Sequence, residues 1–149
     1  MSKKITVNRK AYFEYEILEK FTAGIILQGS EVKSIRANKV SINEAYCYIK
    51  DGEAFIKNMH ISEYSKIGKF TNHDPIRDRK LLLNKKEISK LYGEIKQKGL
   101  TIIPLSIIFN DYGLIKLEIG LAKGKKLFDK RESARLKSIN KQLKQLKTN

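Results

Sequence analysis

Short runs in which every second residue is apolar do most to limit what this chain can fold into. Ile115, Leu117, Ile119 and Leu121 alternate with Lys116 and Glu118. Phe13, Tyr15 and Ile17 alternate with Glu14 and Glu16, and Ala45, Cys47 and Ile49 with Tyr46 and Tyr48. A period of two marks a strand with one face buried. Ala23-Gly24 predicts a break or bulge in the first strand, which resumes over 25–27 before Gly29. Asp51-Gly52 is a two-residue hairpin signal leading into a strand over 53–57. A last pair is predicted over 101–109 and 114–121, joined by a turn at Asn110-Asp111-Tyr112-Gly113. Pro104 has no N–H to donate, so its strand is expected to lie at an edge or to bulge there.

Helices are fewer. Ser30 is read as an N-cap, with Val32 and Ile35 on one face of a short helix over 30–36. Asp74-Pro75 predicts another short helix start. The clearest helix begins at Asn84, with Glu87 three residues on as in a capping box. Ile88, Leu91 and Ile95 line one of its faces, and Gly99 stands where a C-terminal glycine stop belongs. Strands joined by short turns, with a helix interrupting them, predict a mainly β protein with some α. The expected form is a small antiparallel β-barrel of the oligonucleotide-binding type with flanking helices. Periodicity alone leaves an α+β sandwich open.

The charge is unevenly distributed. Lys and Arg total 31 against 16 acids, a net of +15 in 149 residues. From residue 123 to the end there are ten cations and two acids. This divides the chain into a barrel domain, 1–122, expected to bind RNA, and a basic C-terminal tail, 123–149. In the tail Leu136, Ile139, Leu143 and Leu146 form one helical stripe, opposite Arg135, Lys137, Lys141, Lys144 and Lys147. Such a helix repels itself, so the tail is expected to be disordered alone and to fold on a polyanion. Permanent docking on the barrel and a membrane-surface helix are the alternatives. A surface this positive suits nucleic acid, because each neutralised phosphate releases condensed counterions. No apolar run approaches the roughly 20 residues of a membrane span, and no signal peptide is read at the N-terminus. One cysteine, Cys47, with only His60 and His73, makes neither an internal disulfide nor a zinc site. The chain is expected to be cytoplasmic, without metal or cofactor.

Parts for catalysis are missing. The glycines at 24, 29, 52 and 68 are scattered, with no phosphate loop and no nucleophile elbow. His73-Asp74 could serve a nuclease, but a lone loop histidine is more commonly a surface or RNA-contacting residue. Cys47 reads as a small buried hydrophobe. The parts for binding RNA are better supplied. Asn8, Arg9 and Lys10 suit phosphate and sugar contacts, although an ordinary solvated N-terminus looks the same. Arg77, Arg79 and Lys80 lie around the expected second helix start. Tyr46, Tyr48, Tyr64 and Phe70 offer stacking faces, with cross-strand packing the alternative for Tyr46 and Tyr48. Glu31 can accept from base amino groups or serve as a helix N-terminal acid.

Several ordered motifs resemble one family. They are Asn8-Arg9-Lys10-Ala11, Ala23-Gly24-Ile25, and Gly29-Ser30-Glu31-Val32-Lys33-Ser34-Ile35-Arg36. Asp74-Pro75, Arg77, Arg79-Lys80-Leu81-Leu82-Leu83, Lys86-Glu87-Ile88 and Leu91 follow in register. Gly120-Leu121-Ala122, Lys123-Gly124-Lys125-Lys126 and Asp129-Lys130-Arg131-Glu132 complete the series. From about Asn8 to Glu132 the chain is similar to the SsrA-binding protein family; beyond that only basic amphipathic character matches. The resemblance implies a protein that binds the tRNA-like part of transfer-messenger RNA at its elbow, so that the RNA is charged by alanyl-tRNA synthetase, meets elongation factor Tu and enters stalled ribosomes. It further implies that the tail lies in the small-subunit decoding region and tests for an empty message channel. By position, Glu31 and Leu91 would belong to the RNA-elbow surface with Lys123 beside them, and Asn8, Arg9, Lys10, Lys33, Arg36, Lys125 and Lys126 around them. Asp129, Lys130 and Arg131 would serve ribosomal accommodation. Phe128 stands where relatives commonly have His or Tyr, which keeps a stacking role and removes one needing a ring proton. Ile108-Phe109 replaces the relatives' Tyr-Phe, a core variation. A general ribosome-associated barrel protein and an RNA-processing enzyme are the rival readings.

Overall fold

In a computed structural model, residues 3–64 and 72–125 are described. Strand β2 (Tyr15–Ile25) and strand β9 (Ile115–Gly124) form the long ladder of the molecule, pairing from Tyr15–Gly124 to Gly24–Lys116. Strand β8 (Thr101–Phe109) pairs antiparallel with the other edge of β9. β4 (Tyr46–Lys50), β5 (Glu53–Lys57) and β7 (Arg79–Leu82) continue the sheet, in the order β8-β4-β5-β7-β2-β9. Because β8 also pairs with β9, these six strands close into a ring: the expected small antiparallel barrel. β3 (Val40–Ser41) and β6 (His60–Ile61) form a separate two-stranded ribbon.

The hairpin between β4 and β5 turns where expected, with φ of 52° at Asp51 and 75° at Gly52. Both central residues of a two-residue type I′ turn need positive φ, which Asp tolerates and Gly adopts freely. Pro104 sits beside a register shift between Pro104 and Ser106, the bulge its missing donor predicts. Ala122, Leu121 and their neighbours extend β9 to Gly124, two residues past the boundary drawn at 122.

Several expectations need correction. Phe13 lies in helix α1 (Arg9–Glu14), capped by the Asn8 side chain accepting from the Ala11 N–H at 3.1 Å, so β2 starts only at Tyr15. Ala23-Gly24 does not break β2; the irregularity falls between Ile17 and Glu19, leaving Leu18 half-exposed outside the ladder. Asp74-Pro75 opens a turn rather than a helix. The Asp74 Oδ1 accepts from the Ile76 N–H at 3.1 Å, and β7 follows, so Arg79 and Lys80 are on a strand. An Asx turn and a helix N-cap use the same carboxylate-to-amide bond, and here the chain leaves it extended.

Helix α2 (Gly29–Arg36) forms, with Gln28 rather than Ser30 at its N-cap. Helix α3 (Lys85–Lys98) matches its expected ends: Asn84 Oδ1 accepts from Glu87 N–H at 2.8 Å, Glu87 Oε1 from Asn84 N–H at 3.1 Å, and Gly99 closes it at φ 65°. One strand was not foreseen. β1 (Lys3–Val7) runs along the same edge of β8 as β4 does, with Lys3 opposite Phe109. Its sequence, KKITV, carries too weak an alternation to be read alone.

The barrel interior is filled by Ala23, Ile56, Leu81, Ile102, Leu117 and Ile119, with Ile35 from α2 and Leu91 from α3 closing it. A second cluster lies outside the barrel wall, where Ala11 of α1 packs on Ile103, Leu105 and Ala122 with Tyr15 and Ile17. Gly120 makes that contact possible. A Cβ there would stand 2.9 Å from both Ile17 Cγ2 and Leu105 Cδ1.

Candidate nucleic-acid interface

Glu31 is fully buried on the inner side of α2. Its Oε1 accepts from Arg77 Nη2 at 2.5 Å and from the Gln28 N–H at 2.7 Å; its Oε2 accepts from Arg77 Nε at 3.2 Å and from Arg79 Nε. Arg79 is also fully buried, and its remaining donors reach the carbonyls of Met59 at 2.7 Å, Pro75 at 3.2 Å and Asp74 at 3.3 Å. Burial works against the Glu31 charge, but Arg77, the Gln28 amide and Arg79 together outweigh it and hold the carboxyl below its usual range. Burial likewise pulls the Arg79 guanidinium down, with Glu31 opposing. Every lone pair of Glu31 is therefore engaged inside the protein, and no oxygen is left to accept from a base. The side chain instead fixes α2 against the turn before β7.

The outer face of α2 is where its cations stand. Lys33 and Arg36 are exposed; Lys33 Nζ lies 5.6 Å from the Tyr64 ring centroid, and Arg36 lines a cavity of about 280 Å³ with Gly24, Val32, Leu82 and Lys116. Lys116 is a cation the sequence reading missed; it lies on the barrel wall opposite Gly24, and only the β2–β9 register reveals this.

Asn8 is buried too. Besides capping α1 it donates from Nδ2 to the Pro104 carbonyl at 2.9 Å and to that of Ile42 at 3.4 Å. It ties α1 to β8 and presents Arg9 and Lys10, both exposed, on the first turn. Lys10 pairs with Glu44 at 3.0 Å, and that hydrogen bond raises its pKa. The end of β9 meets the same helix: Lys125 N–H donates to Glu14 O at 3.0 Å and Lys125 Nζ to Tyr12 O at 3.2 Å, while exposed Lys123 sits opposite Glu16.

Lys123 stands opposite Glu16 and α2 lies beyond Gly24 of the same strand, eight residues away, or about 26 Å at ~3.3 Å per residue. Leu91 is fully buried in the barrel core, under a helix whose Lys90 pairs with Glu19 at 2.8 Å. It offers no surface for RNA. Asn8, Glu31 and Leu91 are thus buried, and Arg9, Lys10, Lys33, Arg36, Lys123 and Lys125 are the members with side chains at or near the surface. Lys126, Phe128, Asp129, Lys130 and Arg131 lie outside the described residues, as does Phe70.

His73 is buried rather than surface-exposed. A carbonyl can only accept, so the 2.8 Å contact to Ile61 O puts the proton on Nε2, and Nδ1 accepts from the Ser30 hydroxyl at 2.8 Å. Both ring nitrogens are committed to holding α2 on β6. Cys47 is buried in the core and burial pushes its thiol far up, as befits a small hydrophobe. Tyr48 stacks on Phe55 at 5.3 Å across the hairpin and donates to Asp78 at 2.7 Å, whereas Tyr46 is exposed. No group of three or more metal-ligating side chains gathers among the described residues, nor is any of their helices long and apolar enough to cross a membrane.

Fold and surface define a small basic protein of the oligonucleotide-binding barrel class, braced by buried ion pairs and flanked by helices. A family model described as SmpB protein matches residues 5–149, and the chain belongs to that family. The SsrA-binding protein of Cytophaga hutchinsonii is 54% identical over 94% of this chain and 91% of its own. That of Thermosipho africanus is 50% identical over 95% and 94%. A solved chain described as "tmRNA-SmpB: a journey to the center of the bacterial ribosome" superposes with a TM-score of 0.69 at 47% identity, covering 87% of this chain and 94% of that one.

Proposed function

We propose that this protein binds the tRNA-like part of transfer-messenger RNA and carries it to stalled bacterial ribosomes for trans-translation. The observation that carries the reading is the set of exposed cations, Lys33 and Arg36 on α2 and Lys123 beyond it, standing on a barrel shared with proteins named for binding SsrA. A rigid barrel suits a folded RNA read by shape, because an A-form surface offers phosphates and sugars more readily than base edges. Its work is binding and delivery in the cytoplasm, without catalysis. Aminoacylation by alanyl-tRNA synthetase and delivery by elongation factor Tu reach this protein through the RNA.

The tail adds a second role. Its basic amphipathic sequence, with Phe128 and Asp129-Lys130-Arg131 at its start, suits a cationic segment entering the phosphate-lined decoding region and an empty message channel. Deletion from Asp129 onward tests both roles in one variant. RNA binding stays within about threefold of the full chain, since Lys33, Arg36 and Lys123, the cations assigned to the elbow, are all kept. Peptide tagging on stalled ribosomes disappears. Equal loss in both assays contradicts separable roles, and retained tagging contradicts the tail's part.

A further inference from the structure

A second cavity lies away from α2, between the β4–β5 turn and α3. It holds about 550 Å³ and is lined by Ile49, Asp51, Gly52, Ile88, Ser89 and Tyr92, with Lys85 at its edge. Its walls combine an aromatic ring with two branched aliphatic side chains. Its polar groups are a carboxylate, a hydroxyl and an ammonium. Tyr92 is 48% exposed, and Lys96 Nζ lies 5.5 Å from its ring centroid.

From this arrangement we infer that the cavity receives one unpaired RNA base, stacked on Tyr92, with the adjoining phosphates on α3's lysines. This rests on the RNA-binding reading and adds a second contact to it. A ring flanked by aliphatic side chains is the surface on which a base stacks without regard to its identity. The Asp51 carboxylate accepts from an exocyclic amino group, favouring adenine, cytosine or guanine over uracil. Charge supports the same occupant. Lys90 pairs with Glu19 and Lys98 with Glu94, but Lys85, Lys86 and Lys96 have no carboxylate partner among the described residues. Lys85 and Lys86 also occupy the first turn of α3, where the helix dipole disfavours cations. Glu87 of the same turn is engaged in the capping box, which leaves the two lysine charges for an anion to satisfy. An acidic peptide would meet the lysines but leave the apolar walls and the ring unused.

The test uses the full chain with transfer-messenger RNA. Tyr92→Ala weakens binding about tenfold, the scale of losing one stacked base. Tyr92→Phe stays within about twofold, and both variants melt with wild type because the ring is half-exposed. Unchanged binding in a folded Tyr92→Ala, or an equal loss in Tyr92→Phe, overturns the inference. Ultraviolet cross-linking of the wild-type complex needs no variant to fold. A nucleotide adduct on the peptide containing Tyr92 supports the site. Adducts confined to other peptides overturn it. If wild type shows no preference for transfer-messenger RNA, the functional reading fails; if wild type binds and Tyr92→Ala is neutral, only the cavity's role fails.

Discussion

Glu31 and Arg77, forty-six residues apart, are joined by two hydrogen bonds, Nη2 to Oε1 at 2.5 Å and Nε to Oε2 at 3.2 Å. The same carboxylate holds the buried Arg79. One acid thus restrains two guanidiniums, and α2 is pinned to the approach to β7 by charge as well as by Ile35.

Removing that acid leaves a fully buried guanidinium without its counter-charge. Glu31→Ala is expected to lose about 3–5 kcal/mol, the usual cost of breaking a buried pair from one side. Thermal melting and urea unfolding measure it, and RNA binding falls because α2 and its cations lose their seat. A variant that keeps wild-type stability while losing RNA binding would mean that Glu31 touches the RNA itself.

The same pair makes stability depend on pH. The folded-state pKa of Glu31 lies below its unfolded value of about 4.3. The unfolded chain therefore binds the proton more readily in that window. The contribution is fully present above pH of about 5 and is lost as acid takes the carboxyl through its folded value. Urea midpoints of wild type and Glu31→Gln at pH 7 and pH 3.5 should converge on acidification. A gap that is constant across this range contradicts the charge's role.

The outer cluster under α1 gives a steric prediction. Gly120→Ala drives a Cβ to 2.9 Å from Ile17 and Leu105, in a packed contact between strands rather than at a flexible tip. Overpacking of this kind costs about 1–3 kcal/mol. Gly124→Ala, on the same strand with nothing within 4 Å of its added Cβ, should be within about 0.5 kcal/mol of wild type in the same unfolding assay. Equal effects at the two positions would contradict the close packing of Ile17 and Leu105 over Gly120.

Sequence legibility followed the range of the interaction that decides each feature. Asn84, Glu87 and Gly99 mark both ends of α3 through bonds spanning three or four residues, and Asp51-Gly52 sets its hairpin alone. Asp74-Pro75 misled because an Asx turn and an N-cap share one local bond, and only the pairing of β7 with β5 selects between them. β1 escaped notice since its partner lies about a hundred residues on, at Phe109. Among the site residues, the cations of α2 were legible as exposed because the neighbouring apolar positions set the helix face. Leu91 was legible as apolar from its stripe with Ile88 and Ile95, and only the resemblance set it at an RNA surface; Glu31 and Asn8 were not legible as buried, because Arg77 and Pro104 that enclose them are distant in sequence.

On the proposed function, exposed cations placed by this frame select one RNA. Competition at physiological salt tests it most directly, with labelled transfer-messenger RNA and excess bulk tRNA against wild type and Lys33→Ala/Arg36→Ala. Wild type should hold the labelled RNA against the excess, and the double variant should bind it about tenfold or more weakly while melting unchanged, as losing two phosphate contacts entails. Equal competition by bulk tRNA, or a double variant that binds as wild type does, would contradict that selection.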